Sequence, residues 1–293
     1  MKKCSDRSEN SPVPSILFKG LVKQALLEDI GEGDVTTRSC VREDINGVAR
    51  IVAKEDGVLA GLFVAKEVFK QIDESMVFTA TLEEGQAFSE GDTLLTIEGR
   101  ASSILMAERV ALNFLQRLCG IATLTRKYVE EIDGLRCKIV GTRKTTPTLR
   151  CLEKYAVRLG GGFNHRFCLS DGVLIKDNHI AACGSVTEAI SRARMYAPHT
   201  LKIEVEVTDF DELKEALEAG ADVIMLDNMT VSQLKEAVGL ARSIRPDVVL
   251  EASGGVNLEN VREIAATGVD VVSSGTLTHS YKSIDLSLKL NII

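Results

Sequence analysis

The chain of 293 residues contains no tryptophan, only five prolines and four histidines, and no excess of basic residues. Each shortage excludes something. With 35 Lys and Arg against 42 Asp and Glu, the formal net charge is −7, the opposite of the basic footprint of a general nucleic-acid or membrane-surface binder. No stretch approaches the ~20 consecutive apolar residues of a membrane span. The polar start MKKCSDRSENSPVPS lacks the apolar segment of a secretory signal, so residues 1–15 read as a loose arm. Seven cysteines (4, 40, 119, 137, 151, 168 and 183) form no CxxC pair and are odd in number, which suits reduced thiols in the cytoplasm better than a disulfide framework or a zinc site. At 45% hydrophobic, the chain can still build a sizeable core of two domains, or of one barrel with an appendage.

Two rhythms divide it. Leu17, Leu21, Val22, Ala25 and Leu26 recur at helical spacing within 15–30, and the glycine-punctuated EDIGEGDVTT reads as a loop. GVARIVAKEDG alternates like a strand, with Ala49, Ile51 and Ala53 on one face and Arg50 and Lys54 on the other. A helix over 63–72 and the glycine-turned strands of VFTATLEEGQAFSEGDTLLTIEG complete an α+β unit reaching to about residue 115. A long helical pattern over 102–132 leads into the second rhythm. Short apolar runs lie at 138–141, 173–175, 203–207, 223–226, 248–250 and 269–272, and helical stretches separate the later ones. Strand–helix alternation implies a parallel sheet. Six or seven such strands favour an incomplete TIM-like β/α barrel over an open sheet, although the runs alone leave closure open.

In such folds ligands bind at the carboxyl ends of the strands. The residues just past each run are Gly141-Thr142-Arg143-Lys144, Lys176-Asp177-Asn178-His179, Glu204 and Glu206 within the third run, Asp227-Asn228, Glu251-Ala252-Ser253-Gly254-Gly255 and Ser273-Ser274-Gly275. Arg143, Lys144, Arg166 and Lys176, with His165 beside them, suit a multiply charged anion, since arginine forks match carboxylate or phosphate oxygens in pairs. Glu206 and Asp227 are hard oxygen ligands of the kind Mg²⁺ takes together with substrate phosphates. Backbone N–H groups of Ser253-Gly254-Gly255 and Ser274-Gly275 can cradle a phosphate. Each element has a plainer alternative: Arg143-Lys144 as a solvated pair, Glu206 as a partner of some lysine, Asp227 as a helix cap, SGG as a bare turn. Their joint appearance at successive strand ends is what points to a site.

The strings EDIGEGDVTT, AERVALNFLQRLCGIAT, GTRKTTPTLR, GGGFNHRFCLSDGVLIKDNHI, VIMLDNM, LEASGGV and SSGTLTHS resemble the quinolinate phosphoribosyltransferase family over about residues 20–285. The resemblance implies transfer of phosphoribosyl from 5-phosphoribosyl-1-pyrophosphate (PRPP) to quinolinate with loss of carbon dioxide, giving nicotinate mononucleotide and pyrophosphate in de novo NAD synthesis, with Mg²⁺ required. It implies an N-terminal α+β domain over 1–115, joined by a C-terminal tail of about 277–293, and a roughly seven-stranded barrel domain over 116–276, in a homodimer. On matching positions, Arg143, His165 and Arg166 would hold the quinolinate carboxylates, helped by Lys144 and Lys176. Arg109 would reach the neighbouring subunit's site. Glu206 and Asp227 would bind ribose hydroxyls and metal, Lys144 the leaving pyrophosphate, and Ser253, Gly254, Gly255, Ser274 and Gly275 the 5-phosphate. Rival expectations are a Schiff-base aldolase using Lys176, a phosphoribosyltransferase of altered substrate, and a barrel that only senses or stores an anionic metabolite.

Overall fold

A computed structural model describes residues 11–293, so most of the expected N-terminal arm lies outside the described residues. The described chain divides into two compact units, one made of residues 11–124, 146–160 and 281–293, the other of 125–145 and 161–280. The segment 146–160, read as part of the barrel, instead packs with the first unit.

In the first unit, strands β1 (Asn46–Ala53), β2 (Gly57–Val58), β3 (Val77–Ala80), β4 (Ala87–Phe88) and β5 (Thr93–Arg100) are joined by the chain's last strand, Leu286–Ile292. That last strand pairs antiparallel with β1, and the four-stranded sheet runs Leu286–Ile292, β1, β5, β3. Ala49, Ile51 and Ala53 are fully buried while Arg50 and Lys54 are exposed, so the alternation in the sequence is the alternation of the pleat. The helix Leu62–Ile72 buries Leu62, Val64, Ala65, Val68 and Phe69, an i, i+3, i+4 stripe. EDIGEGDVTT is not all loop. Its first residues end the helix Lys19–Ile30, and Asp34 caps a short helix, Val35–Cys40, by accepting from the Thr37 N–H at 2.9 Å.

The second unit is a seven-stranded, wholly parallel sheet of β6 (Lys138–Gly141), β7 (Phe163–Asn164), β8 (Val173–Ile175), β9 (Ile203–Val207), β10 (Val223–Asp227), β11 (Val249–Ser253) and β12 (Val271–Ser274). Their order is β7, β6, β12, β11, β10, β9, β8, with β7 and β8 at the two ends: an incomplete barrel. β7 is the strand that the apolar runs did not reveal. It has two exposed residues in a glycine-rich stretch, too short to show a period.

The strands alternate between two environments. Ile203, Val205 and Val207 of β9 are buried, and the flanking helices Val186–Tyr196 and Phe210–Glu218 pack on this strand. Glu204 and Glu206 take the opposite face. The interior of the barrel is therefore polar toward its carboxyl end. Among the described residues no helix is long and apolar enough to cross a membrane.

Candidate active site

A cavity of about 530 Å³ opens at the carboxyl ends of the parallel strands, lined by residues from β8, β9, β10, β11 and β12 and from the segments after β6 and β7. It gathers Arg143, Lys144, His165, Arg166, Lys176, Glu206, Asp227, Ser253, Gly254 and Gly255. Residues 143 and 255, over a hundred positions apart, thus face one space. A hollow elsewhere, lined by Lys23, Leu26 and Ile30, carries no comparable set of charges.

One wall is cationic. β6 ends at Gly141, whose carbonyl accepts the His165 N–H at 3.0 Å, so the loops carrying Arg143 and Arg166 are tied together at their roots. Arg166 Nη1 donates to the Gly172 carbonyl at 2.8 Å, which fixes its side chain. The Nε–H groups of Arg143 and Arg166 are buried and make no hydrogen bond. Burial, and then the Arg143 charge, lower the pKa of Arg166. Two guanidiniums that repel each other and keep unmet donors are matched by an anion with paired oxygens.

The facing wall is acidic. Lys176 Nζ donates to Glu206 Oε2 at 2.9 Å, so this lysine is tied to the acids rather than standing beside the arginines. That commitment speaks against the Schiff-base alternative, which needs the amine uncommitted. The abrupt end of β8 in Lys176-Asp177-Asn178-His179 now has a local reason: His179 Nδ1 accepts the Lys176 N–H at 3.0 Å and starts the helix Asp177–Cys183. Asp227 ends β10, and burial, followed by the Glu206 charge, raises its pKa. It is not a helix cap; Thr230 caps the helix Val231–Ile244. Instead Asp227 Oδ2 accepts from Asn228 Nδ2 at 2.6 Å, and Asn228, at φ 54°, donates its N–H to the Ser253 carbonyl at 2.9 Å. Glu206 and Asp227 are neighbouring carboxylates, hard oxygen donors of the kind that Mg²⁺ takes.

Between the walls lies the loop after β11. Gly254 (φ 94°) and Gly255 (φ 63°) occupy left-handed backbone that only glycine adopts without strain. A Cβ on Gly254 would stand 2.6 Å from Asn228 Cγ, so the glycine also permits close packing beneath Asp227.

Three expected residues are placed differently. Ser274 does not line the cavity; it is buried and its Oγ accepts the Thr276 N–H at 3.3 Å. Gly275 does not line it either, but lets the Lys144 side chain pass, since a Cβ there would lie 2.8 Å from Lys144 Cδ. Arg109 sits exposed on the helix Ala101–Glu131 of the first unit and is absent from the cavity lining of a single chain. Conversely, Thr142, Asn228 and Glu251, which stand at the strand ends without an assigned role, also line the cavity. Alternation held the signal for Glu251: in VLEAS it shares a face with Ser253.

The model of the quinolinate phosphoribosyl transferase C-terminal domain matches residues 121–289, and that of the N-terminal domain matches residues 34–119. The chain belongs to the quinolinate phosphoribosyltransferase family. Among relatives of this quinolinate phosphoribosyltransferase-family chain, a probable nicotinate-nucleotide pyrophosphorylase [carboxylating] of Bacillus subtilis is 46% identical over 94% of each chain. A quinolinate phosphoribosyltransferase [decarboxylating] 1b of Nicotiana tabacum is 41% identical over 95% of this chain and 83% of its own. The crystal structure of NadC from Streptococcus pyogenes superposes with a TM-score of 0.92 at 44% identity, covering 97% of this chain and all of that one.

Proposed function

We propose that this chain transfers the phosphoribosyl group of PRPP to the ring nitrogen of quinolinate and removes one carboxylate, yielding nicotinate mononucleotide, pyrophosphate and carbon dioxide for NAD synthesis. The observation that carries this reading is the opposition within one cavity of Arg143 and Arg166, with their unmet buried Nε donors, and the Glu206–Asp227 pair. A pyridine dicarboxylate suits the first wall and a ribosyl pyrophosphate with its cation suits the second.

Arg143 and Arg166 grip the quinolinate carboxylates and orient the ring nitrogen across the cavity. A ligand held in an attack geometry reacts as though at very high local concentration, which lowers the barrier by several kcal/mol, on the order of 7 in favourable cases. His165 lies on the same wall, but its Nδ1 accepts the Arg166 N–H at 2.8 Å and its Nε2 faces Glu204 Oε2 at 2.7 Å. It therefore orients the Arg166 segment rather than offering a free nitrogen to the substrate. The Ser253–Gly255 loop receives the 5-phosphate through backbone N–H groups. Glu206 and Asp227 orient the ribose hydroxyls, directly and as ligands of Mg²⁺, which when bound supplies positive charge for the departing pyrophosphate. Lys144 stabilises the same leaving group, and Lys176 holds Glu206 in place. Positive charge develops on the ribose as pyrophosphate leaves; the pyridine nitrogen then bonds to C1. The alkylated nitrogen is cationic and stabilises the carbanion left by loss of the adjacent carboxylate, so decarboxylation follows transfer.

We also assign Arg109 to the neighbouring subunit's cavity in a homodimer, in line with its exposure and its absence from the cavity of its own chain. The cytoplasm is the setting we assign to the reaction; the six described cysteines are free thiols, which supports it.

The test is release of carbon dioxide from carboxyl-labelled quinolinate. Expected is stoichiometric carbon dioxide and pyrophosphate, dependent on both PRPP and Mg²⁺. Turnover of nicotinate in place of quinolinate, or free nicotinate formed before ribosylation, would contradict the reading.

A further inference from the structure

The cavity also has an acidic floor, Glu251 with Glu204 close beside it, which binding of a dianion alone does not explain. Glu204 of β9 and Glu251 of β11 are only 6% and 3% exposed, and Oε1 of each is buried without a hydrogen-bond partner. Together with His165 they bring three ligand-type atoms within 4.8 Å of one another. His165 divides the labour. Its Nδ1 accepts a backbone N–H, so the ring proton sits on Nε2 and goes to Glu204. Glu204 thereby keeps its negative charge partnered. Glu251 has no such donor, and it lines the cavity.

Two bare carboxylates cannot lie under a bound dicarboxylate, because like charges in a buried site drive one of them to keep its proton. Every element around Glu251 points to it as the one. Glu204 faces it from β9, β10 offers the apolar Met225, β12 contributes the Ser273 hydroxyl, and Arg143 and Arg166 belong to the substrate. Burial, and then the Glu204 charge, push its pKa up to about 7, with Ser273 and His165 acting in the opposite direction.

We propose that Glu251 is the acid that protonates the ring carbon from which carbon dioxide departs. The inference rests on the decarboxylating reading above. When the bond between ring C2 and its carboxylate breaks, the electron pair stays on C2, in the ring plane and along the broken bond. That orbital points where the carboxylate was held, so the donor must stand on the carboxylate-binding wall. Guanidinium groups hold their protons too tightly to be efficient donors there. Glu251 stands on that floor and is a carboxyl kept neutral by its surroundings, a general device for donating from a buried acid. The C2–H bond forms as the Glu251 O–H bond breaks, Glu251 is left as a carboxylate, and solvent restores its proton after product leaves. Glu204 and His165 act through position: they fix the charge beside the acid.

Single-turnover experiments on Glu251→Gln and Glu251→Asp, following pyrophosphate and nicotinate mononucleotide separately, test this. For Glu251→Gln the expected result is pyrophosphate release within a few-fold of the unaltered chain, nicotinate mononucleotide formation slowed at least a hundredfold, and ribosylated, undecarboxylated quinolinate accumulating. Glu251→Asp, a shorter acid, recovers part of the second step. The proposal is overturned if both products of Glu251→Gln appear at the original rates, or if both fall by the same factor, as a merely structural role requires. It is also overturned if the floor retains a stoichiometric divalent metal that Glu251→Gln loses. Absence of any pyrophosphate from the unaltered chain would instead defeat the phosphoribosyl-transfer reading itself.

Discussion

Replacing Gly254 by alanine separates a structural glycine from a merely permissive one. At φ 94° any Cβ pays the left-handed penalty, about 1–2 kcal/mol. The new methyl would also stand 2.6 Å from Asn228 Cγ and 3.0 Å from the Asn228 backbone N, neither of which is the loose end of a long side chain. Asn228 must then shift, and its 2.6 Å hydrogen bond to Asp227 shifts with it. Loss of a hydrogen bond to a charged group is worth about 1.5–3 kcal/mol. Together the two effects come to roughly 3 kcal/mol, or about two orders of magnitude in rate. The assay is kcat/KM for PRPP alongside direct quinolinate binding: the former should fall about a hundredfold and the latter should hardly change. Gly255→Ala is the control. At φ 63° it carries the same backbone penalty, but nothing lies within 4 Å of its Cβ, so a loss of about tenfold is expected. Equal losses in the two variants, or an unaltered Gly254→Ala enzyme, would refute the steric argument.

Arg117 donates to the fully buried Glu153 at 2.9 and 2.6 Å, and Glu153 Oε2 in turn accepts the Thr146 N–H at 3.1 Å. Arg117→Met should therefore cost about 3–5 kcal/mol in denaturant unfolding, with much of it restored by adding Glu153→Met; a loss below about 1 kcal/mol would contradict this. Because Glu251 binds its proton more tightly folded than unfolded, its contribution falls as pH rises from about 4.5 towards 7 and stays low above that. Thermal unfolding of the ligand-free chain should lose stability over that window, and Glu251→Gln should flatten the difference; an unchanged profile would count against the assignment. Arg109→Ala and Lys176→Ala should each abolish turnover, and mixing the two proteins should restore part of it once subunits exchange. No rescue after demonstrated exchange would reject a shared site.

The barrel was legible because parallel strands are buried on both sides, leaving near-continuous apolar runs such as VLI and VIML that end in charge at Lys176 and Asp227. The pair Arg143-Lys144 is uninformative alone; it gains meaning because β6 and β10 must end at the same mouth. What escaped is also physical. β7 is two residues long and exposed, and Val35–Cys40 owes its helix to one capping aspartate in a glycine-rich stretch. The segment 146–160 leaves the barrel through tertiary contacts, among them the Arg117–Glu153 pair, which no local period encodes. Ser274 shows the limit of strand-end reasoning: one residue beyond the inward-facing Ser273, its hydroxyl turns to the backbone instead.

The most direct measurement is a crystal structure of the chain with quinolinate bound. Both carboxylates should lie against Arg143 and Arg166, with the ring nitrogen facing Glu206 and Asp227 across the 530 Å³ cavity. Quinolinate lodged outside that cavity, or bound in it with its carboxylates turned to the acidic side, would contradict the account.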